Sequence, residues 1–236
     1  MLARTAWDRF ADSYLDRVFS AIAFPDKRER LIQLTPPGSV LDFGCGPLPF
    51  LVNDLLRPSN RSVIACDFSL SMITALRTSL DTQHARLLLA DGQALPLRTS
   101  SLDAVLAINS IVPEERDQVD LIVAEVARVI RPGGRLVAIL PAFEMSLIAA
   151  RSWGIDIQLD LERHREYDTT GWQCYFTEGD ITLLMTRHGF SQFVIERLYF
   201  TSDEQTAMIR HVYGQRIPPM ALLAHPLFEH LLFAIR

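Results

Sequence analysis

Five short, nearly all-apolar runs alternate with stretches of helical periodicity, and this rhythm narrows the chain to one broad architecture. The runs are SVLDF (39–43), SVIAC (62–66), RLLLA (86–90), LDAVLAI (102–108) and RLVAIL (135–140). They are strand-length, and their lack of polar alternation indicates burial on both faces. Between them, Met72, Ile73, Leu76 and Leu80 follow a helical spacing behind Ser69, a residue suited to an N-cap. Val119, Ile122, Val123, Val126 and Ile130 form a second stripe, stopped by Pro132-Gly133-Gly134. Together these patterns predict an α/β, doubly wound, mostly parallel sheet.

The flanks follow other patterns. Over 3–24, Trp7, Phe10, Tyr14, Val18, Phe19 and Ile22 mark one amphipathic helix or two. Asp26 and Glu29 then read as the capped start of a helix that Pro36-Pro37-Gly38 ends. Thr177-Glu178-Gly179-Asp180 opens another helix, closed by Gly189, and FVIERLYF (193–200) and HLLFAIR (230–236) read as two further strands. The chain of 236 residues forms one domain, with helices over 1–38, a sheet core over 39–141, and insertions on the rim at 142–176 and 201–229.

Composition removes several classes. The formal net charge is −5, and the single lysine, Lys27, stands among scattered arginines, which disfavours nucleic acid as a partner. No apolar run approaches membrane-spanning length, and the first residues lack the apolar stretch of a secretory signal, so a cytoplasmic protein is expected. Cys45, Cys66 and Cys174 form no C-x-x-C pair, and the six histidines show no H-x-H or H-E-x-x-H spacing, so no metal is expected.

In a doubly wound sheet, ligands bind beyond the carboxyl ends of the strands. Those ends carry Gly44-Cys45-Gly46-Pro47, Asp67, Asp91-Gly92 and Asn109-Ser110, each small or polar. A nicotinamide fingerprint needs G-x-G-x-x-G, and its third glycine is Pro49 here. The ordered set fits another pattern: Asp42 two residues before Gly44, Asp67 at the next strand end, Asp91-Gly92 at the third, and RPGG (131–134) before the fifth.

From about Val40 to Leu140 the sequence thereby resembles the class I S-adenosylmethionine-dependent methyltransferases. The likeness extends more loosely to DRFADSY (8–14) and to TEGD…RHGF (177–190). It implies a seven-stranded, Rossmann-like sheet whose last strand is antiparallel, with 1–38 as lid helices, 39–141 as the cofactor-binding half and the two insertions as a substrate cap. It implies S-adenosylmethionine as cofactor and S-adenosylhomocysteine as product. Asp67, 23 residues after Gly44, matches the family's acid for the ribose diol. Asp91 matches the acceptor of the adenine amine, with Gly92 and Gln93 around the ring and Phe68 and Met72 flanking it. Gly44, Cys45 and Gly46 form the cofactor turn, and Gly44, Asn109 and Ser110 lie at the positions that hold the methionine tail. Asp42 shapes the turn, and Tyr14 matches a lid-helix tyrosine. Each of these also has a plain structural reading: Asp67 and Asp91 as turn-capping residues, and Phe68, Met72 and Tyr14 as core.

The family's usual third glycine is Leu48 here, between Pro47 and Pro49. Pro49 suits the first turn of a following helix, where no N–H is needed; a weakened cofactor site is the other account of the same residues. Methyl transfer needs alignment more than catalytic groups. His164 and Tyr167 are the candidate bases, and Trp153, Trp172, Tyr175 and Phe176 the candidate walls of an apolar substrate pocket. A small-molecule methyltransferase is the expected function. A methyltransferase-like partner subunit without activity and a nicotinamide-dependent oxidoreductase are the competing ones.

Overall fold

The computed structural model describes residues 2–11, 14, 23–57, 60–80, 85–168, 170–213 and 224–236. Val18, Phe19 and Ile22 of the N-terminal stripe lie outside the described residues. Helix α1 (Leu2–Phe10) and α2 (Pro25–Leu34) precede a seven-stranded sheet. That sheet comprises β1 (Gly38–Phe43), β2 (Arg61–Asp67), β3 (Arg86–Leu89), β4 (Leu102–Ile108), β5 (Ile130–Leu140), β9 (Gln192–Tyr199) and β10 (Phe228–Ile235). Its order is β3-β2-β1-β4-β5-β10-β9. The first five strands pair in parallel, and β10 runs antiparallel to both β5 and β9. The order reverses between β1 and β4, so the crevice for a ligand opens at their carboxyl ends.

Helices cover both faces. α3 (Phe50–Leu56) and α4 (Leu70–Ser79) lie in the first half, and α5 (Arg116–Val129), α6 (Phe143–Ser152), α7 (Glu178–Arg187) and α8 (Ser202–Tyr213) in the second. Alternate residues of each strand feed separate cores. Leu41, Val105 and Leu136 join Ile122, Val126 and Ile181 on one side. Val40, Val63 and Val137 join Leu55, Leu76 and Leu231 on the other. This two-sided burial is why the strands carry few polar positions.

Local chemistry sets the helix starts. Ser69 Oγ accepts from Met72 N–H, and Thr177 Oγ1 from Asp180 N–H, as their sequence positions predict. The expected start at Asp26 and Glu29 differs: Phe24 occupies the cap position without a side-chain bond, Pro25 begins the helix, and Asp26 sits in its first turn. RPGG belongs to β5 itself, as a bulge opposite Asp103. Arg131 pairs with Asp103 Oδ1 at 2.6 Å, while Asp103 Oδ2 accepts from Ser39 N–H.

The first insertion contains α6 and a small antiparallel sheet of β6 (Gln158–Asp160), β7 (Arg165–Asp168) and β8 (Gly171–Cys174). Arg165 ties it down, bonding Glu114 O, Glu115 Oε1 and Asp160 Oδ2 at 2.7–2.9 Å. Within the second insertion α8 is described, and 214–223 lie outside the described residues. Among the described residues, no helix is long and apolar enough to cross a membrane.

Candidate functional site

A cleft of about 970 Å³ opens where β1, β2 and β4 end. Its floor is the turn after β1. Gly44 holds φ +66°, and a Cβ there would lie 2.3 Å from Ser110 Cβ, so only glycine fits. The turn is tied to the next strand, because Cys45 N–H donates to Cys66 O and Gly46 N–H to Asp67 Oδ2 at 3.0 Å. Asp67 Oδ1 accepts from Ser69 N–H at 2.9 Å. Asp67 therefore caps the approach to α4 and braces the glycine turn while lining the cleft. With these bonds made, the carboxyl still retains a lone pair for a further donor.

Buried acids give this end a negative character. Burial, reinforced by Asp67, pushes the Asp42 carboxyl up to about 7. Burial also raises Asp67, and the N–H groups of Ser69, Gly46 and Phe68 pull the other way. Tyr14, stacked edge-on against Phe10, has its phenol raised by burial and by the same acids.

Most of the strand-end residues singled out by the sequence converge here. Tyr14, Gly44, Gly46, Asp67, Phe68, Met72, Asp91, Gly92, Gln93, Asn109 and Ser110 line the cleft. Asp42 and Cys45 are buried behind the turn and do not line it. Asp91 Oδ1 accepts from Gln93 N–H at 2.9 Å, so the aspartate makes its own turn and faces the cleft as well. Asn109 Oδ1 and Ser110 Oγ are buried without a hydrogen-bond partner in the protein, which suits polar groups that a ligand satisfies. Leu48, Pro47 and Pro49 stand outside the lining. Pro49 occupies the N-cap position of α3, where its missing N–H leaves nothing unpaired.

The candidate acceptor residues separate. Tyr167 and Trp172 face each other across the β7–β8 pair in a T-shaped contact, with centroids 5.4 Å apart, and both line the cleft. Arg165 covers Trp172 from 5.1 Å. His164 lies outside the lining: its Nδ1 is 2.8 Å from Asp180 Oδ2 and its ring packs on Phe143, because the α7 cap draws it away. Phe176 is fully buried core beneath the Arg116 guanidinium. Tyr175 is outside the lining and sits where its backbone bonds His164 O and Arg116. Trp153 packs against the other core and is likewise outside the cleft.

Sequence reasoning missed part of the wall. Val112, Pro113 and Glu114 continue from Asn109-Ser110, and Thr170, Gly171 and Gln173 flank Trp172. Their nearness in sequence to predicted site residues was the available signal. Arg4 lines the cleft from α1, and nothing in its sequence context marked it. Helix α1 is tied to the start of α4 by Asp8, whose Oδ1 accepts from Ser69 Oγ at 2.6 Å.

Comparison with known proteins agrees with this geometry. Residues 40–134 match the family described as "Methyltransferase domain". Over 98 residues the chain is 34% identical to malonyl-[acyl-carrier protein] O-methyltransferase of Pseudescherichia vulneris, covering 42% of this chain and 37% of that protein. The chain spans less than half the length of the curated relatives it matches. In structure it is similar to a chain of the Haloferax volcanii complex between the Trm112 methyltransferase activator and a methyltransferase. That match has TM-score 0.72 and 14% identity, over 97% of this chain and 96% of the other. It is also similar to an S-adenosylmethionine-dependent methyltransferase of Mesorhizobium loti, with TM-score 0.62 and 19% identity, over 90% and 99% of the two chains. At such identities the likeness is one of fold.

Proposed function

Residues 40–134 belong to the methyltransferase-domain family within a class I methyltransferase fold, and on that premise we propose that the protein transfers a methyl group from S-adenosylmethionine to a small-molecule acceptor. One observation carries the reading: a glycine turn braced by the carboxylate of Asp67, in a cleft that also presents Asp91 and the unmet polar atoms of Asn109 and Ser110. The cleft volume, about 970 Å³, accommodates a nucleoside-sized cofactor together with a small acceptor.

Asp67 would accept from the ribose hydroxyls, since its backbone bonds hold both oxygens in place. Asp91, Gly92 and Gln93 would surround the adenine, between Phe68 and Met72. The turn at Gly44–Gly46, with Asn109 and Ser110, would hold the amino-acid tail. S-adenosylmethionine, when bound, supplies an activated methyl carbon. The chain's part is then alignment and the exclusion of water. Trp7 and Tyr14 close the cleft from the lid side, and Tyr167 and Trp172 would hold the acceptor by its apolar, planar body. Tyr167 stands in that wall as the candidate base for an acceptor that loses a proton. Arg4 is the single lysine or arginine of the lining among the described residues, against Asp67, Asp91 and Glu114, so the wall disfavours an anionic acceptor.

Incubation with methyl-labelled S-adenosylmethionine and a metabolite extract tests the acceptor class. Label entering the small-molecule fraction supports it; label confined to protein or nucleic acid overturns it.

A further inference from the structure

Asn109 follows β4 directly with φ +49°, a left-handed conformation that asparagine tolerates better than most residues. Its neighbour Ser110 packs against Gly44, so Asn109 stands beside the glycine turn and within the lining of the cleft. From there its Nδ2 donates to Glu229 Oε1 at 2.5 Å, across 120 residues of sequence. Glu229 belongs to β10, opposite Leu198 of β9, and is buried.

The carboxyl oxygen of Glu229 accepts in this bond, so Glu229 dictates which end of the Asn109 amide it meets. The nitrogen turns toward Glu229, and Oδ1 is left as the acceptor. That oxygen is buried with no hydrogen-bond partner in the protein. A buried amide oxygen left unmet is costly, and a ligand N–H placed there removes the cost. Asp67, which lines the same cleft, favours a positively charged donor.

We infer that Glu229 is a positioning residue of the cofactor site, holding the Asn109 amide so that Oδ1 faces an ammonium-bearing part of the ligand. The inference rests on the cofactor reading above. It places a determinant of cofactor affinity on the antiparallel C-terminal strand, far in sequence from the glycine turn.

Calorimetric titration with S-adenosylhomocysteine tests it, using wild type, Glu229→Met, Glu229→Gln, Asn109→Asp and the double variant Asn109→Asp/Glu229→Gln. Thermal melts establish that each is folded. Glu229→Met weakens binding about tenfold or more, the size of a lost charge-assisted hydrogen bond. Glu229→Gln still offers an acceptor and loses less. Asn109→Asp alone sets two carboxylates against each other and binds weakly. The double variant restores a donor–acceptor pair of reversed polarity, leaves an acceptor toward the ligand, and regains most of the affinity. Additive losses in the double variant, or full affinity in Glu229→Met, overturn the inference while wild-type binding leaves the cofactor reading intact. Failure of wild type to bind overturns both.

Discussion

Asp67, at the end of β2, accepts the N–H of Gly46 at 3.0 Å and so locks the turn after β1 to the neighbouring strand. The same carboxylate caps the approach to α4 through Ser69 and lines the cleft. One side chain thus shapes the turn and offers lone pairs to a ligand.

Replacing Asp67 with alanine therefore removes both roles. Loss of charge-assisted hydrogen bonds worth about 1.5–3 kcal/mol corresponds to about 10- to 150-fold weaker binding of S-adenosylhomocysteine. Unchanged affinity in a folded variant would exclude Asp67 from the ribose site.

Gly44 and Gly46 share left-handed backbone and differ in their surroundings. An added Cβ at Gly46 meets Tyr14 at an ordinary 3.6 Å, whereas at Gly44 it collides with Ser110 at 2.3 Å. Gly46→Ala should cost about 1–2 kcal/mol, the strain of a left-handed residue with a side chain, and Gly44→Ala measurably more. Urea unfolding of the two variants checks the ranking; equal losses would mean that the Ser110 contact yields freely.

Asp42 and Glu166 each have a folded-state value of about 7, well above the ordinary 3.8 and 4.5. For a carboxyl shifted upward, the folded state binds the proton more tightly. Its contribution to stability is full below the ordinary value and is lost as pH rises toward about 7. Asp42→Asn should remove its share of that decline, so the variant gains on wild type as pH rises through this window. Melting temperatures measured across the window decide it, and a constant difference would contradict the assignment.

Trp172 and Tyr167 form an aromatic wall of the cleft. Trp172→Ala should raise the acceptor KM by about 2- to 13-fold, the scale of an aromatic contact, with cofactor Kd unchanged. A change in cofactor affinity alone would move this wall to the cofactor side.

Where burial pattern dictates structure, the sequence was readable. The run 102–108 is β4 residue for residue, and the stripe from Val119 to Val126 is the buried face of α5. Asp67 and Asp91 were legible because strand ends in a doubly wound sheet point to one place. The small sheet was not, since its strands of three or four residues carry mixed polarity and are held by Arg165 from a distance. That tertiary dependence also explains the divided fate of the aromatics. Pairing in β7–β8 puts Trp172 in the cleft, while Phe176, just past β8, enters the core. His164 sits in the mixed-charge run 162–166, and only the fold brings Asp180 to it.

Whether the braced glycine turn binds an adenosyl cofactor is decided by calorimetric titration of the wild-type protein with S-adenosylmethionine, S-adenosylhomocysteine and NADH. Micromolar binding of the two adenosyl ligands, and none of NADH, is expected. Silence from both in folded protein would contradict it, and would point to Leu48 and its flanking prolines as the residues that disable the site.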